Sequence, residues 1–284
     1  MILSPKQMVL FEQKVQNTIE QYQLCNKNDK VLVACSGGKD STTTLYLLHK
    51  LGYNVEGLII DLMIGDWSKR NLDNVKSFCA QQKIKLHIVD LRTEFGCSMC
   101  FLKSGIQSKT KLNNCLICGV IKRWLLNKKA RELGASKIAT GHNLDDGAET
   151  VLMNLLKGKL SLNLGMGPQT GVIKDTKFVP RIKPLYFCLN EEVKQYSLTK
   201  KFPVVYDPCP CSVEGFRKKI RLNLKKLESD NSQIKLNIVN TFLGLQDTLK
   251  KRFSVTENMV YCQFCGEPSR KETCKMCGLI KIIK

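Results

Sequence analysis

Val31-Leu32-Val33-Ala34-Cys35 runs directly into Ser36-Gly37-Gly38-Lys39-Asp40-Ser41, and helical spacing then continues to Leu51 before Gly52. Five consecutive apolar residues bounded by turn formers predict a buried parallel strand, because a strand covered on both faces loses the alternation of a half-exposed one. A glycine-rich turn between such a strand and a helix offers backbone N–H groups and the positive helix end to an anion. Gly37 and Gly38 permit close backbone approach, Ser36 and Ser41 supply hydroxyl donors, and Lys39 adds a point charge. A Walker A loop is excluded, since it needs GxxxxGK followed by Ser or Thr, whereas here the glycines are adjacent and Asp40 follows the lysine. The structural alternative to a phosphate loop is a plain tight turn.

Outward from this unit the pattern repeats. Strands are predicted at 55–61, 86–91, 137–140 and 204–206, and helices at 69–82, 117–133, 144–156 and 190–200. Before them, Ser4, Pro5 and Gln7 read as a capping box with proline at the first helical position. Met8, Phe11, Val15, Ile19 and Tyr22 then recur at helical spacing, so a helix is expected over 5–24. Strands alternating with helices predict an α/β fold with a doubly wound parallel sheet. The stretch 158–178 lacks periodicity and reads as a mobile surface loop. Two basic helices are expected at 214–228 and 233–251, and a compact cysteine module at 261–278. The expected division is an N-terminal helix (1–28), a main α/β body (29–208), a basic helical extension (209–258) and a terminal metal module (259–284).

The 45 Lys and Arg outnumber the 25 Asp and Glu, a net charge of +20. A soluble chain at that charge repels itself unless a polyanion is its partner, which points to nucleic acid; a lysine-rich solvated surface is the bland alternative. No apolar run is long enough to span a bilayer, and the first residues carry no secretory pattern, so no membrane partner and a cytoplasmic location are expected. In a reducing compartment the 14 cysteines read as metal ligands or catalytic groups rather than disulfides. Eight form CxxC pairs: Cys97/Cys100, Cys115/Cys118, Cys262/Cys265 and Cys274/Cys277. The last four, with Gly266 and Gly278 after each pair, have the spacing of a structural zinc site. By spacing alone, Cys97, Cys100, Cys115 and Cys118 read as a second one.

The loop resembles the PP-loop of the N-type ATP pyrophosphatases, which split ATP between its α and β phosphates and transfer AMP to a carbonyl oxygen. Cys115-Leu116-Ile117-Cys118-Gly119, Ala139-Thr140-Gly141-His142-Asn143-Leu144-Asp145-Asp146 and Asp207-Pro208-Cys209-Pro210 are similar, in that order, to signatures of the tRNA 2-thiouridine synthetase group. The resemblance covers most of the chain. It implies ATP with Mg2+, tRNA as substrate, a sulfur donor (sulfide or a sulfur-carrier protein) and a homodimer. It also implies a 4Fe-4S cluster on Cys115, Cys118 and Cys209, whose open iron carries sulfide. A persulfide carried on these cysteines is the metal-free alternative. Ala34, Ser36, Gly37, Gly38, Lys39, Asp40, Ser41, Ile60, Gly141 and Asp146 are implied at the nucleotide. Lys122 is implied as stabiliser of the α-phosphate, with Asp146 a metal- or substrate-orienting carboxylate. His142, alone after a strand, is more simply a structural hydrogen-bonding residue.

Three departures from the group stand out. The group's zinc finger ahead of the first helix has no counterpart in these residues, Cys97 and Cys100 have no matching pair there, and Gly147 stands where an acid is commoner. Lys218, Lys219, Arg221, Lys225 and Lys226 give the helix after Cys209 a basic side, read as a tRNA-backbone contact against a merely solvated face. Rival readings are cytidine thiolation and a zinc-ribbon tRNA-binding protein without activity.

Overall fold

The computed structural model describes residues 2–170, 175, 177–212, 215–253 and 260–283. Helix α1 (Pro5–Gln21) starts at the predicted capping box: the Gln7 N–H donates to Ser4 Oγ over 3.3 Å and the Ser4 N–H to Gln7 Oε1 over 2.9 Å. Then come β1 (Val31–Cys35), α2 (Lys39–Lys50), β2 (Val55–Asp61), α3 (Gly65–Gln81) and β3 (Leu86–Asp90). Short helices α4 (Leu91–Phe95) and α5 (Met99–Gln107) lead to α6 (Asn114–Glu132), β4 (Lys137–Ala139) and α7 (Leu144–Leu156). Strands β5 (Gln169–Thr170) and β6 (Arg181–Ile182) precede α8 (Asn190–Thr199), α9 (Phe216–Asp230) and α10 (Ile234–Arg252). A hairpin of β7 (Val260–Tyr261) and β8 (Pro268–Ser269) and the helix α11 (Lys275–Ile283) close the chain.

The main sheet has the order β3-β2-β1-β4-β6-β5, parallel throughout except for the edge strand β5. The chain builds outward from β1 to β3 and then returns to the opposite side of β1 with β4. Such a reversal opens a crevice beyond the carboxyl ends of the two strands, where sheets of this kind bind ligands. Side chains alternate across β1: Val31, Val33 and Cys35 join a core shared with α1, α2, α3 and α8, while Leu32 and Ala34 face the core under α5, α6 and α11. Both faces are thus buried, and a continuous apolar run is what that burial requires.

Several expectations change. No strand forms over 204–206; the valines lie between Pro203 and Pro208, and that segment makes one sheet-like bond, from the Val205 N–H to the Gly37 carbonyl at 3.2 Å. Its place beside β4 is taken by Arg181–Ile182. The described part of 158–178 is pinned rather than mobile: Asn163, fully buried in a single 3-10 turn (Leu160–Asn163), accepts from Asn154 Nδ2 at 2.6 Å and donates to the Val151 carbonyl at 3.2 Å. Residues 171–174 and 176 of that stretch, and Glu214 of the expected helix 214–228, lie outside the described residues. Helix α6 begins three residues earlier than its periodicity suggests, because Asn113 caps it by accepting from the Leu116 N–H at 2.8 Å.

Candidate functional site

The loop at 36–41 closes the carboxyl end of β1. Ser41 Oγ accepts from the Ser36 N–H at 3.1 Å and donates to the Gly38 carbonyl at 3.1 Å, folding the loop around its own hydroxyl. Gly38 is the N-cap of α2 and has no side chain to satisfy the first helical N–H groups, so these remain directed at the crevice. Gly37, at φ +78°, is pressed against Asn71 so closely that a Cβ would stand 2.2 Å from Asn71 Oδ1. These observations fit a phosphate chain: uncapped donors, a helix dipole and backbone within reach. Ala34 and Ile60 lie half-buried near the carboxyl ends of β1 and β2 on the same face of the sheet.

The segment after β4 reaches this loop through its backbone. A Cβ on Gly141 would lie 2.6 Å from the Asp40 carbonyl carbon and 2.7 Å from the Ser41 nitrogen. Asn143 Nδ2 donates to Asp40 Oδ1 at 3.1 Å, and Lys39 Nζ donates to Asp40 Oδ1 at 2.6 Å and to Asn190 Oδ1 at 2.7 Å. Asp146 serves α7 as the partner in a capping box with Asn143 and pairs with Arg217 at 3.4 Å, its side chain 29% exposed. His142 Nδ1 lies 2.9 Å from Thr140 Oγ1, the structural role expected of it. Desolvation, then Lys183, Arg217 and Arg181, drive its pKa down to about 4, so the ring is neutral at pH 7.

The thiols gather on the other side of α6. Cys115 and Cys118 lie one turn apart in the first turns of this helix, a consequence of its early start. Cys118 and Cys209 are half-buried in one apolar cluster, and Cys211 joins them. Burial raises the Cys118 pKa; Lys122 and Lys103 oppose that, while Cys115 and Cys211 add to it. Burial also raises Cys209, whose charged neighbours are Cys211, Cys118 and Lys122. Four thiols, Cys115, Cys118, Cys209 and Cys211, with the Lys103 and Lys122 ammonium groups beside them suit a soft, multi-iron group that needs its thiolates charge-balanced. Cys97 and Cys100 do not close a zinc site with Cys115 and Cys118: among the described residues, the one set of three or more ligand atoms within 4.8 Å is the terminal one. The reason lies in the fold, since Cys97 precedes α5 and the thiol neighbours of Cys118 come from the segment after Pro208 instead.

The two centres are linked by the chain itself. Val205 bonds to Gly37, and Cys209 follows four residues later. Four extended residues reach at most about 14 Å. The phosphate loop and the thiols therefore stand within one substrate's length of each other.

Cys262, Cys265, Cys274 and Cys277 form a third centre. Four thiolates about 2.3 Å from one zinc stand roughly 3.8 Å apart in a tetrahedron; Cys265 Sγ and Cys274 Sγ are 3.7 Å apart. The Cys274 N–H donates to Cys262 Sγ and the Cys277 N–H to Cys274 Sγ, each at 3.3 Å, which favours thiolates there. Cys262, Cys274, Met276 and Leu279 are buried in the same core as α5 and α6, so the module is part of the body's packing.

The basic side of α9 divides in two. Arg221 grips the buried Glu149 of α7 with bonds of 2.6 and 3.1 Å, and Arg217 lies 3.7 Å from the same carboxylate. These arginines dock the helix, although the Arg221 side chain stays 61% exposed; Lys219, Lys225 and Lys226 are exposed as well. Three residues escaped the sequence reading. Asn143 was recoverable from the N-x-x-D capping pattern and Cys211 from its place beside Cys209. Lys103 had no signal, being a lone lysine that the fold buries to 5% exposure among Cys211, Cys100 and Cys118.

A glycine loop beside uncapped helix donors, at the switch point of a parallel sheet, defines a nucleotide-binding α/β protein. Residues 8–228 match the PP-loop domain, and the chain belongs to that family. It is 35% identical over 268 residues to the tRNA-5-methyluridine(54) 2-sulfurtransferase of Pyrococcus horikoshii, covering 94% of this chain and 83% of that one. It is 34% identical over 280 residues to the cytoplasmic tRNA 2-thiolation protein 1 of Drosophila melanogaster, covering 95% and 79%. Its fold is similar to that of the U34-tRNA thiolase NcsA from Methanococcus maripaludis, solved with its 4Fe-4S cluster. That match has a TM-score of 0.80 at 29% identity over 97% of this chain and 87% of the other.

Proposed function

We propose that this chain uses ATP to replace the C2 oxygen of a tRNA uridine with sulfur. The observation that carries the reading is the Val205–Gly37 bond, which ties the phosphate loop to the segment that brings in Cys209 four residues on. The loop at 36–41 and the α2 N-terminus hold the phosphates, and Asp146 and Asp40 present carboxylates for Mg2+. The uridine C2 oxygen attacks the α-phosphate and pyrophosphate leaves. Lys122, one helical turn beyond Cys118, stabilises the charge that builds on the α-phosphate oxygens. The adenylated C2 is then open to sulfide, and AMP departs with the former oxygen. Splitting one hard substitution into two easier ones is the logic of covalent activation.

Cys115, Cys118 and Cys209 would hold a 4Fe-4S cluster through three thiolates, leaving one iron open for sulfide. A groove of about 420 Å³ lined by Cys100, Lys103 and Asn114 would suit the approach of a sulfur donor. Cys262, Cys265, Cys274 and Cys277 would hold zinc and fix the terminal module. The name of one relative, a cytoplasmic tRNA 2-thiolation protein, supports a cytoplasmic reaction; no helix among the described residues is long and apolar enough to cross a membrane. The group's habit supports a homodimer. Anaerobic incubation with tRNA, ATP and sulfide should yield AMP and 2-thiouridine together, read by mass spectrometry at positions 34 and 54. No AMP and no thionucleoside from cluster-loaded protein sinks the reading.

A further inference from the structure

A second group of cations gathers where α6 meets β6. The Arg123 guanidinium folds back along α6 over Gly119, where a Cβ would stand 3.1 Å from Nη1. Absence of a side chain at Gly119 thus lets the guanidinium lie beside Cys118. Arg181 Nη2 donates to the Arg123 carbonyl at 3.1 Å, while Arg181 Nε is buried without an acceptor. Its guanidinium is 5.7 Å from the Phe178 ring. Lys183, just past the end of β6, donates to the Gly167 carbonyl at 2.8 Å. Among the described residues, no carboxylate lies within the 4.0 Å ion-pair distance of any of the three.

Crowding cations without counter-charges is unfavourable, and the protonation equilibria register it. Desolvation and Arg123 lower Arg181 to about 10; desolvation, and Arg181 after it, lower Lys183 to about 8, against the pull of Asp146. By contrast, Arg131 is paired with Glu267 and Lys235 with Asp145. A site built this way awaits an anion from outside the chain.

We propose that Arg123, Arg181 and Lys183 form a phosphate subsite that takes a backbone phosphate of the tRNA next to the nucleotide being thiolated. The inference rests on the tRNA reading above and adds the point where the RNA is gripped. ATP is the other source of phosphate, but its cradle is already supplied by the loop at 36–41. β6 lies one strand beyond β4, on the far side of that loop from β2. A base presented between loop and thiols trails its own phosphate there. The Arg181 guanidinium, half-buried with no carboxylate beside it, keeps Nη1 free to donate to a phosphate oxygen.

The test uses the full chain and an unmodified tRNA transcript, with binding followed across a salt series and ATP binding measured alongside. Arg181→Ala and the exposed-helix variant Arg123→Ala should each bind tRNA about tenfold more weakly. Each should also lower the slope of log K against log salt by about 1, with ATP affinity unchanged. Arg181→Lys should restore the slope but not the full affinity. Variants that bind tRNA within twofold of wild type with an unchanged slope overturn the subsite. So does a loss confined to ATP, which would assign the cations to the nucleotide. If wild-type protein itself fails to bind tRNA, the functional reading has failed and the subsite falls with it.

Discussion

Gly141 and Asp40 meet backbone to backbone: the hydrogen that Gly141 carries in place of a Cβ faces the Asp40 carbonyl carbon, 2.6 Å from where that Cβ would be. The obstacle is main chain on both sides, so neither can rotate away, and an added methyl must push the loop at 36–41 off its position. Overpacking of this kind costs about 1–3 kcal/mol. Gly141→Ala is therefore expected to weaken ATP binding by at least about tenfold while circular dichroism stays native. Calorimetric titration with ATP checks it; unaltered affinity would show that the two loops are not rigidly apposed.

Removing one thiol separates the iron reading from the zinc reading of the central cysteines. Anaerobically prepared protein should be brown and contain iron. Cys209→Ala should abolish the chromophore, whereas Cys97→Ala should keep it, because Cys97 stands outside the converging thiols. A colourless wild-type protein carrying two zincs would favour the four-cysteine site that the spacing alone suggested.

Acid should test the neutral imidazole of His142. Its folded pKa of about 4 lies below the unfolded value near 6.5. Between those values the unfolded chain binds a proton that the folded chain refuses. Stability from this group is therefore fully present above pH 6.5 and is lost as pH falls toward 4. The urea midpoint should drop over that window more steeply for wild type than for His142→Gln. Parallel profiles would mean the ring titrates freely.

The ion pair that docks α9 makes a mechanical prediction. Arg221→Ala should lower stability by about 2–3 kcal/mol, because Glu149, 2% exposed, is left with Arg217 alone. Glu149→Gln should cost less than the arginine change. Denaturant titration measures both; a neutral Arg221→Ala would mean that the pair does not dock the helix.

The first strand and its loop were legible because both rest on local physics: an apolar run, two glycines and a helix start. The sheet's far side was not. Val204-Val205-Tyr206 has the higher strand propensity, yet Arg181-Ile182 pairs with β4 because chain connection places it there. Gly147, odd beside its group, is explained only in three dimensions, where its Cβ would meet Val239 Cγ2 at 3.3 Å. The terminal thiols announced themselves by spacing. The central set did not, since Cys209 joins Cys115 and Cys118 across most of the sheet, and composition or periodicity cannot see that closure.

The terminal cysteine module packs its helix α11 against α5 and α6, with Ile283 Cγ2 only 3.0 Å from where a Gly105 Cβ would stand. The helix that carries Cys115 and Cys118 is thus braced by the terminal module, which on the reading proposed above folds on zinc. On that reading zinc starvation loosens the seat of the central thiols, and undermodified tRNA follows even where iron is plentiful.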